Sequence, residues 1–217
     1  MPGPAAHERQ ALSDSFERIG PDAPTLCAGW STRDLLVHLI VRESRPDAAA
    51  ALILPPLAGH ARSVSAKIAA RPWDALVETF RNGPPRLSPF ALPGVDERAN
   101  VGELFVHHED VLRAQDPTAR RTLSPDLQRA LWKGLPVLGR LTLRSVPVGV
   151  RARCEGYGER TLRSARSGGG TVALVGRPGE VVLQISGRAG NDGDRVDVDV
   201  QGEAAAVTAF RTASTGM

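Results

Sequence analysis

The sequence predicts a helical region over residues 1–142 followed by a small α+β domain over 143–217, and three observations predict it. Up to about Leu141, apolar residues recur every three or four positions, the spacing that lines one face of a helix. These stretches open on capping signals at Ser31 and Ser124-Pro125, and the first closes on Gly20-Pro21. From about Thr142 the recurrence changes to every second residue, at Val146, Val148, Val150 and Ala152 and again over Arg195–Val200, which is the strand period.

Leu12, Phe16 and Ile19 mark a first helix over Ala5–Ile19, and Pro21–Trp30 reads as a loop. A second helix starts near Ser31, with Asp34 three residues on as in a capping box. Leu35, Leu36, Leu39 and Ile40 form its stripe, and Val37 and Val41 cover the opposite side. A helix apolar nearly all round is a buried one. Arg45–Gly59 is a linker or broken helix, and a third helix from about Arg62 to Phe80 must break or restart at Pro72. Asn82–Asp96, rich in proline and glycine, is a long connection of the kind found at functional mouths. Helices over Arg98–Arg113 and from Ser124 to Leu141 follow. Beyond them come strands at Val146–Ala152, Thr171–Val175 and Arg195–Val200. Pro178, Glu180 and Gly187 mark the start and stop of a helix despite the β-branched residues between, and Glu203–Thr212 closes the chain as a helix.

Composition narrows the function classes. With 41% hydrophobic and 24% charged residues the chain can bury a core, so a disordered protein is excluded. A net charge of +3 comes from dispersed arginines, without the basic cluster and interleaved aromatics of a nucleic-acid groove, and amounts to a weak bias towards anionic small molecules. Cys27 and Cys154 lie far apart and form neither a disulfide framework nor a cysteine-rich metal site. No stretch has the roughly 20 apolar residues of a membrane span, and no apolar leader opens the chain. The expected compartment is the cytoplasm.

The chemistry concentrates in Arg98–Arg113. Glu103 and His107 stand four apart, so on a helix both face one way and can close on a single cation. His108 is turned about 100° from them and falls in the apolar stripe of Val101, Leu104, Phe105, Val111 and Leu112, as a core histidine does. Two ligands make half a tetrahedral site, and His38, on the buried second helix, is the candidate third. Asp34, one turn before His38, would orient its ring or simply cap the helix. Spacing alone favours a solvated polar face with a neutral Glu-His contact, since Glu-x-x-x-His is a common accident in charged helices, and only a third ligand makes the pair specific. Cys27 is a candidate nucleophile or extra ligand, or a small hydrophobe beside Leu26. Ser167-Gly-Gly-Gly170 lacks the strand and helix of a phosphate cradle.

Two segments resemble a known family. Pro24-Thr-Leu-Cys-Ala-Gly-Trp-Ser-Thr-Arg-Asp-Leu-Leu-Val-His-Leu39 is similar to the entry motif of the mycothiol-dependent maleylpyruvate isomerase N-terminal domain, a branch of the DinB-like four-helix bundles. Asn100–Ala114 resembles the family's second signature, Glu-x-x-x-His followed by Asp-Val. The resemblance implies an N-terminal DinB-like four-helix bundle and a small, sterol-carrier-like α+β C-terminal domain. It implies a metal triad of His38, Glu103 and His107, with His108 as bystander. Ile185-Ser-Gly-Arg188 is similar to the segment whose arginine binds the acidic substrate, which would make Arg188 catalytic; otherwise it is a surface arginine at a helix C-terminus.

The function this implies is a divalent-metal enzyme, with zinc expected, that activates a low-molecular-weight thiol such as mycothiol. The thiolate would attack a small electrophilic, acidic substrate, giving S-transfer or cis-trans isomerisation. Two alternatives remain. One is a hydrolase using metal-bound water with Glu109 or Asp110 as base. The other is a non-catalytic binding or resistance protein.

Overall fold

A computed structural model of the chain describes residues 3–45, 58–85, 88, 100–166, 169–190 and 195–213. Among them the protein is mixed α and β, with eight helices and one four-stranded sheet. It divides into two compact units, Met1–Ala119 and Arg120–Met217. No described helix is long and apolar enough to cross a membrane.

The first unit is helical. Helix α1 spans Pro4–Ile19 and stops where Gly20 takes a positive φ of 86°, a turn that a side chain would strain. Helix α2 spans Thr32–Ser44, opened by a full capping box. The Ser31 side chain accepts from the Asp34 N–H, and the Asp34 carboxylate accepts from the Ser31 N–H. Leu35, Leu36, Val37, Leu39, Ile40 and Val41 are all buried, as the two-sided apolar pattern requires. The expected third helix is two: α3 at Ala58–Ala69 and α4 at Trp73–Arg81, with Pro72 capping the second. Helix α5 spans Val101–Gln115. Helix α1 packs on α4 and α5, and α2 packs on α3 and α4. The core between them holds Leu12, Phe16, Leu36, Leu76, Phe80 and Phe105. Most of the Arg45–Gly59 linker and of the Asn82–Asp96 connection lies outside the described residues.

The second unit opens with helix α6, Pro125–Thr142, capped by Ser124 as expected. The change of texture near residue 142 marks where strands approach, but the compact units part earlier, between Ala119 and Arg120. The reason is that α6 packs on the elements after it rather than on the helices before. Strands β1 (Gly149–Cys154), β2 (Gly158–Arg163) and β3 (Thr171–Gly176), helix α7 (Pro178–Ile185), strand β4 (Val198–Gly202) and helix α8 (Ala204–Ala213) complete the unit. The sheet order is β2-β1-β3-β4, with β1 and β3 parallel and both outer pairs antiparallel. Val150, Ala152, Val172 and Leu174 point to the buried face, while Arg151 and Arg153 point away and share Glu159. Pro136 lies inside α6 and cannot donate to the carbonyl of Trp132. Arg160 on β2 bonds that carbonyl at 3.3 Å, its guanidinium lying 4.7 Å from the Trp132 ring centroid. A helix defect is thereby turned into a tie between helix and sheet.

Candidate metal centre

Glu103 and His107 lie one turn apart on α5, and His38 reaches them from α2. Glu103 Oε1 is 3.3 Å from His107 Nε2 and 3.5 Å from His38 Nε2. The three ligating atoms lie within 4.8 Å of one another, so two imidazole nitrogens and one carboxylate oxygen converge on a common point. This donor set suits a catalytic divalent site, in which three protein ligands leave one position open. Exposure grades across the group. The side chains of His38 and Glu103 are 30% and 31% exposed, that of His107 is 11% exposed, and Asp110 behind it is fully buried. The open side is therefore the His38–Glu103 edge.

The face bearing Glu103, His107 and Asp110 is not the solvated one that spacing alone allowed. The loop before α2 covers it, the Leu26 N–H donating to the Asp110 carbonyl at 3.1 Å. Asp110 Oδ2 sits 2.9 Å from His107 Nδ1 and accepts from Cys27 Sγ at 3.3 Å. Nδ1 is the nitrogen turned away from Glu103, so the carboxylate fixes the ring while Nε2 stays with the triad. Cys27, His107 and Asp110 form a second group of possible ligands that shares His107. That group lies on the Nδ1 side of the ring, whereas Glu103 meets Nε2. Asp34 takes no part: its carboxylate is committed to Ser31, so the capping role is the one it has.

The loop itself is tightly knit. Thr25 N–H and Oγ1 both donate to the Trp30 carbonyl, Trp30 N–H donates to the Cys27 carbonyl, and Gly29 turns the chain at a φ of 77°. Trp30 nevertheless remains 38% exposed, its ring centroid 5.2 Å from that of His38. At the other end of the group, Arg42 Nε stands 3.5 Å from Glu103 Oε1, and Arg42 also bonds Asn100.

His108 is the core histidine that its place in the stripe predicts. Its Nδ1 meets Glu8 Oε1 at 2.8 Å and its Nε2 meets Ser15 Oγ at 2.9 Å, with all three residues buried. The connectivity is that of a serine nucleophile array, but Ser15 is closed off inside the helices. Glu109 is buried and its Oε2 pairs with Arg113 Nε at 2.5 Å. A hydrolytic reading therefore loses both proposed bases, since Glu109 serves an ion pair and Asp110 stands behind His107. Arg188 belongs to the second unit. It follows Gly187 at the end of α7, where its N–H bonds the Leu183 carbonyl and its Nη1 the Ser186 carbonyl.

Electrostatics tie the group together. Burial works against the charge on Glu103, but hydrogen bonds from His107 and His38 and the nearby Arg42 outweigh it and hold the carboxyl well below the usual range. Burial also opposes a charged His107, yet Asp110, Cys27 and Glu103 push it up to about 11. For the metal-free protein, Glu103 contributes stability above its ordinary value of 4.5, lost as pH falls through its depressed one. His107 contributes fully below 6.5, and that contribution is lost as pH rises through about 11. Thermal unfolding in chelator should accordingly show greatest stability between pH 4.5 and 6.5. A midpoint that climbs from pH 7 to pH 9 would contradict this arrangement of charges.

No family model and no curated protein matches the chain. Solved structures do. The chain is similar to the mycothiol-dependent maleylpyruvate isomerase. The alignment covers 91% of this chain and 88% of that one, at 16% identity and a TM-score of 0.48. A mutant of the same isomerase, with one histidine replaced by alanine, aligns over the same shares at 16% identity and a TM-score of 0.49.

Proposed function

We propose that the chain is a divalent-metal enzyme, with zinc as its ion, which activates a low-molecular-weight thiol for attack on a small electrophile. The observation that carries this reading is the convergence of His38 Nε2, Glu103 Oε1 and His107 Nε2, with the far nitrogen of His107 held by the buried Asp110. A cation bound there would supply the Lewis acidity that keeps a thiol deprotonated near neutral pH. His107 must release the proton on Nε2 to act as a donor, and Asp110 retains the Nδ1–H, so the ring keeps its orientation through the change. Glu103 supplies the one negative charge among the three donors. The partly exposed edge between His38 and Glu103 would leave room for a further ligand on a bound ion, whereas the side towards Asp110 is buried.

The sequence motifs around His38 and His107 favour mycothiol as the thiol. The sulfur would add to one carbon of a carbonyl-conjugated double bond, breaking the π bond and sending its electron pair to the carbonyl oxygen. Protonation of that enolate leaves the thiol on the substrate, whereas rotation about the new single bond and expulsion of the thiolate re-form the double bond in the other geometry. On this reading the helices of the first unit form a DinB-like bundle and the second unit, which includes α6, is a sterol-carrier-like domain; Arg188 would bind the acidic substrate, and the enzyme would work in the cytoplasm on small molecules.

The test is spectroscopic. Protein loaded with cobalt(II) should show four-coordinate visible bands, and adding a simple thiol should bring in a near-ultraviolet sulfur-to-cobalt band. Absence of that band, together with turnover of esters or amides in thiol-free buffer, would move the function to hydrolysis. In a turnover assay with thiol and an acidic electrophile, Arg188→Met should raise KM, while the cobalt spectrum stays unchanged.

A further inference from the structure

An indole is an unusual rim for a polar group of imidazoles and a carboxylate. Trp30 is among the few large apolar side chains exposed in the described residues, and its loop has no slack that would place it there by default. Two hydrogen bonds to its carbonyl, one from its N–H and the isolated bridge between Pro24 and Ser31 fix its backbone. The ring lies 5.2 Å from His38, which lies 5.5 Å from His107, so the three rings run from solvent towards the buried end of the group. The indole therefore borders the exposed His38 end of the group, where a ligand at the open edge would lie beside it. Exposed aromatic surface costs free energy in water and is recovered when a flat or apolar group covers it.

We propose that Trp30 is a specificity-determining residue, an aromatic wall that selects ligands carrying a planar, unsaturated group next to the atom that takes the open position. This rests on the metal-thiol reading above and adds to it which thiols or electrophiles are preferred. The indole contributes no donor to the ion and moves no proton. Its part is stacking, so its effect falls on ligand selectivity and not on metal loading.

The experiment compares two thiols, phenylmethanethiol and 2-methylpropane-1-thiol, titrated into cobalt-loaded wild type, Trp30→Phe and Trp30→Ala, with the sulfur-to-cobalt band as readout. Taking the ratio of the two dissociation constants within each protein, and comparing it between proteins, cancels the difference in thiol acidity. Wild type should favour the arylmethyl thiol, Trp30→Phe should keep most of that preference, and Trp30→Ala should lose about fivefold of it, in the range of one aromatic pair. Cobalt content should remain the same in all three. An unchanged ratio in Trp30→Ala overturns the proposal, as does loss of cobalt from either variant, which would make the ring a mere support for His38. Failure of both thiols to give the band in wild type overturns the thiol reading itself, and the wall with it.

Discussion

Replacing His107 by alanine is expected to abolish metal binding and to destabilise the metal-free chain, whereas His38→Ala is expected to abolish metal binding alone. Both residues present a nitrogen to Glu103, and a site with two ligands from one chain does not hold zinc tightly. The two differ in what stands behind them. His107 leaves Asp110, a fully buried carboxylate, without the ring at 2.9 Å, and removing one member of a buried charged pair costs about 3 kcal/mol. His38 is 30% exposed and meets Glu103 only at 3.5 Å, so its loss from the empty site costs under about 1 kcal/mol. Elemental analysis of protein purified without added metal should give close to one ion per wild-type chain and background in both variants. Urea unfolding in chelator should separate them. Metal retained by both variants, or well below one ion in the wild type, refutes the triad.

Phe16→Ala is expected to lower the stability of the first unit by about 3–5 kcal/mol, the range for removing a fully buried aromatic ring. The ring sits edge-on to Trp73 at 5.9 Å and to Phe80 at 6.1 Å, so one truncation removes two aromatic contacts at the junction of α1 and α4. Both neighbours sit on α4, whose Leu76 and Val77 are also buried, which limits how far either ring can shift into the space. Equilibrium urea unfolding should show a lower midpoint with an unchanged slope. A loss under about 1 kcal/mol would mean that the helices close over the void and that Phe16 is not a fixed part of the core.

The helices were legible because their ends are written in local chemistry. Ser31 with Asp34, Ser124 with Pro125, Gly20 and Pro72 each act within a turn of themselves, and the structure has an element boundary at each. The α7 assignment stood on the same kind of signal against its β-branched composition. Strand β2 carries no such signal. Its residues Gly-Glu-Arg-Thr-Leu-Arg bury only Leu162, as an edge strand can, and leave no alternation to read. Val146 and Val148 suggested an earlier start for β1. Both are buried, but Val146 closes the turn after α6 with its N–H on the Leu143 carbonyl, and Val148 lies at a bend before Gly149.

At the site, the four-residue spacing of Glu103 and His107 is readable, and His38 is the candidate third ligand from its place on the buried second helix. What holds the group in place was not readable. Asp110 and Cys27 belong to it only because the Pro24–Trp30 loop folds across α5, and nothing in the periodicity of α5 says which face a distant loop will cover. Asp34 shows the converse. Its place one turn before His38 suited a supporting role, but the nearer Ser31 amide and hydroxyl claim the carboxylate.

The adjacency of His107 and His108 has a consequence for how the gene can change. The two rings serve opposite sides of α5, one towards Glu103 and His38, the other towards Glu8 and Ser15, and the next residue, Glu109, is committed to Arg113. An in-frame insertion or deletion of one codon between those for Glu103 and Asp110 would swing every later side chain by about 100°, putting a charged group where an apolar one belongs. Length variation is therefore expected to accumulate outside this stretch, while inside it substitution is the only change the fold can absorb.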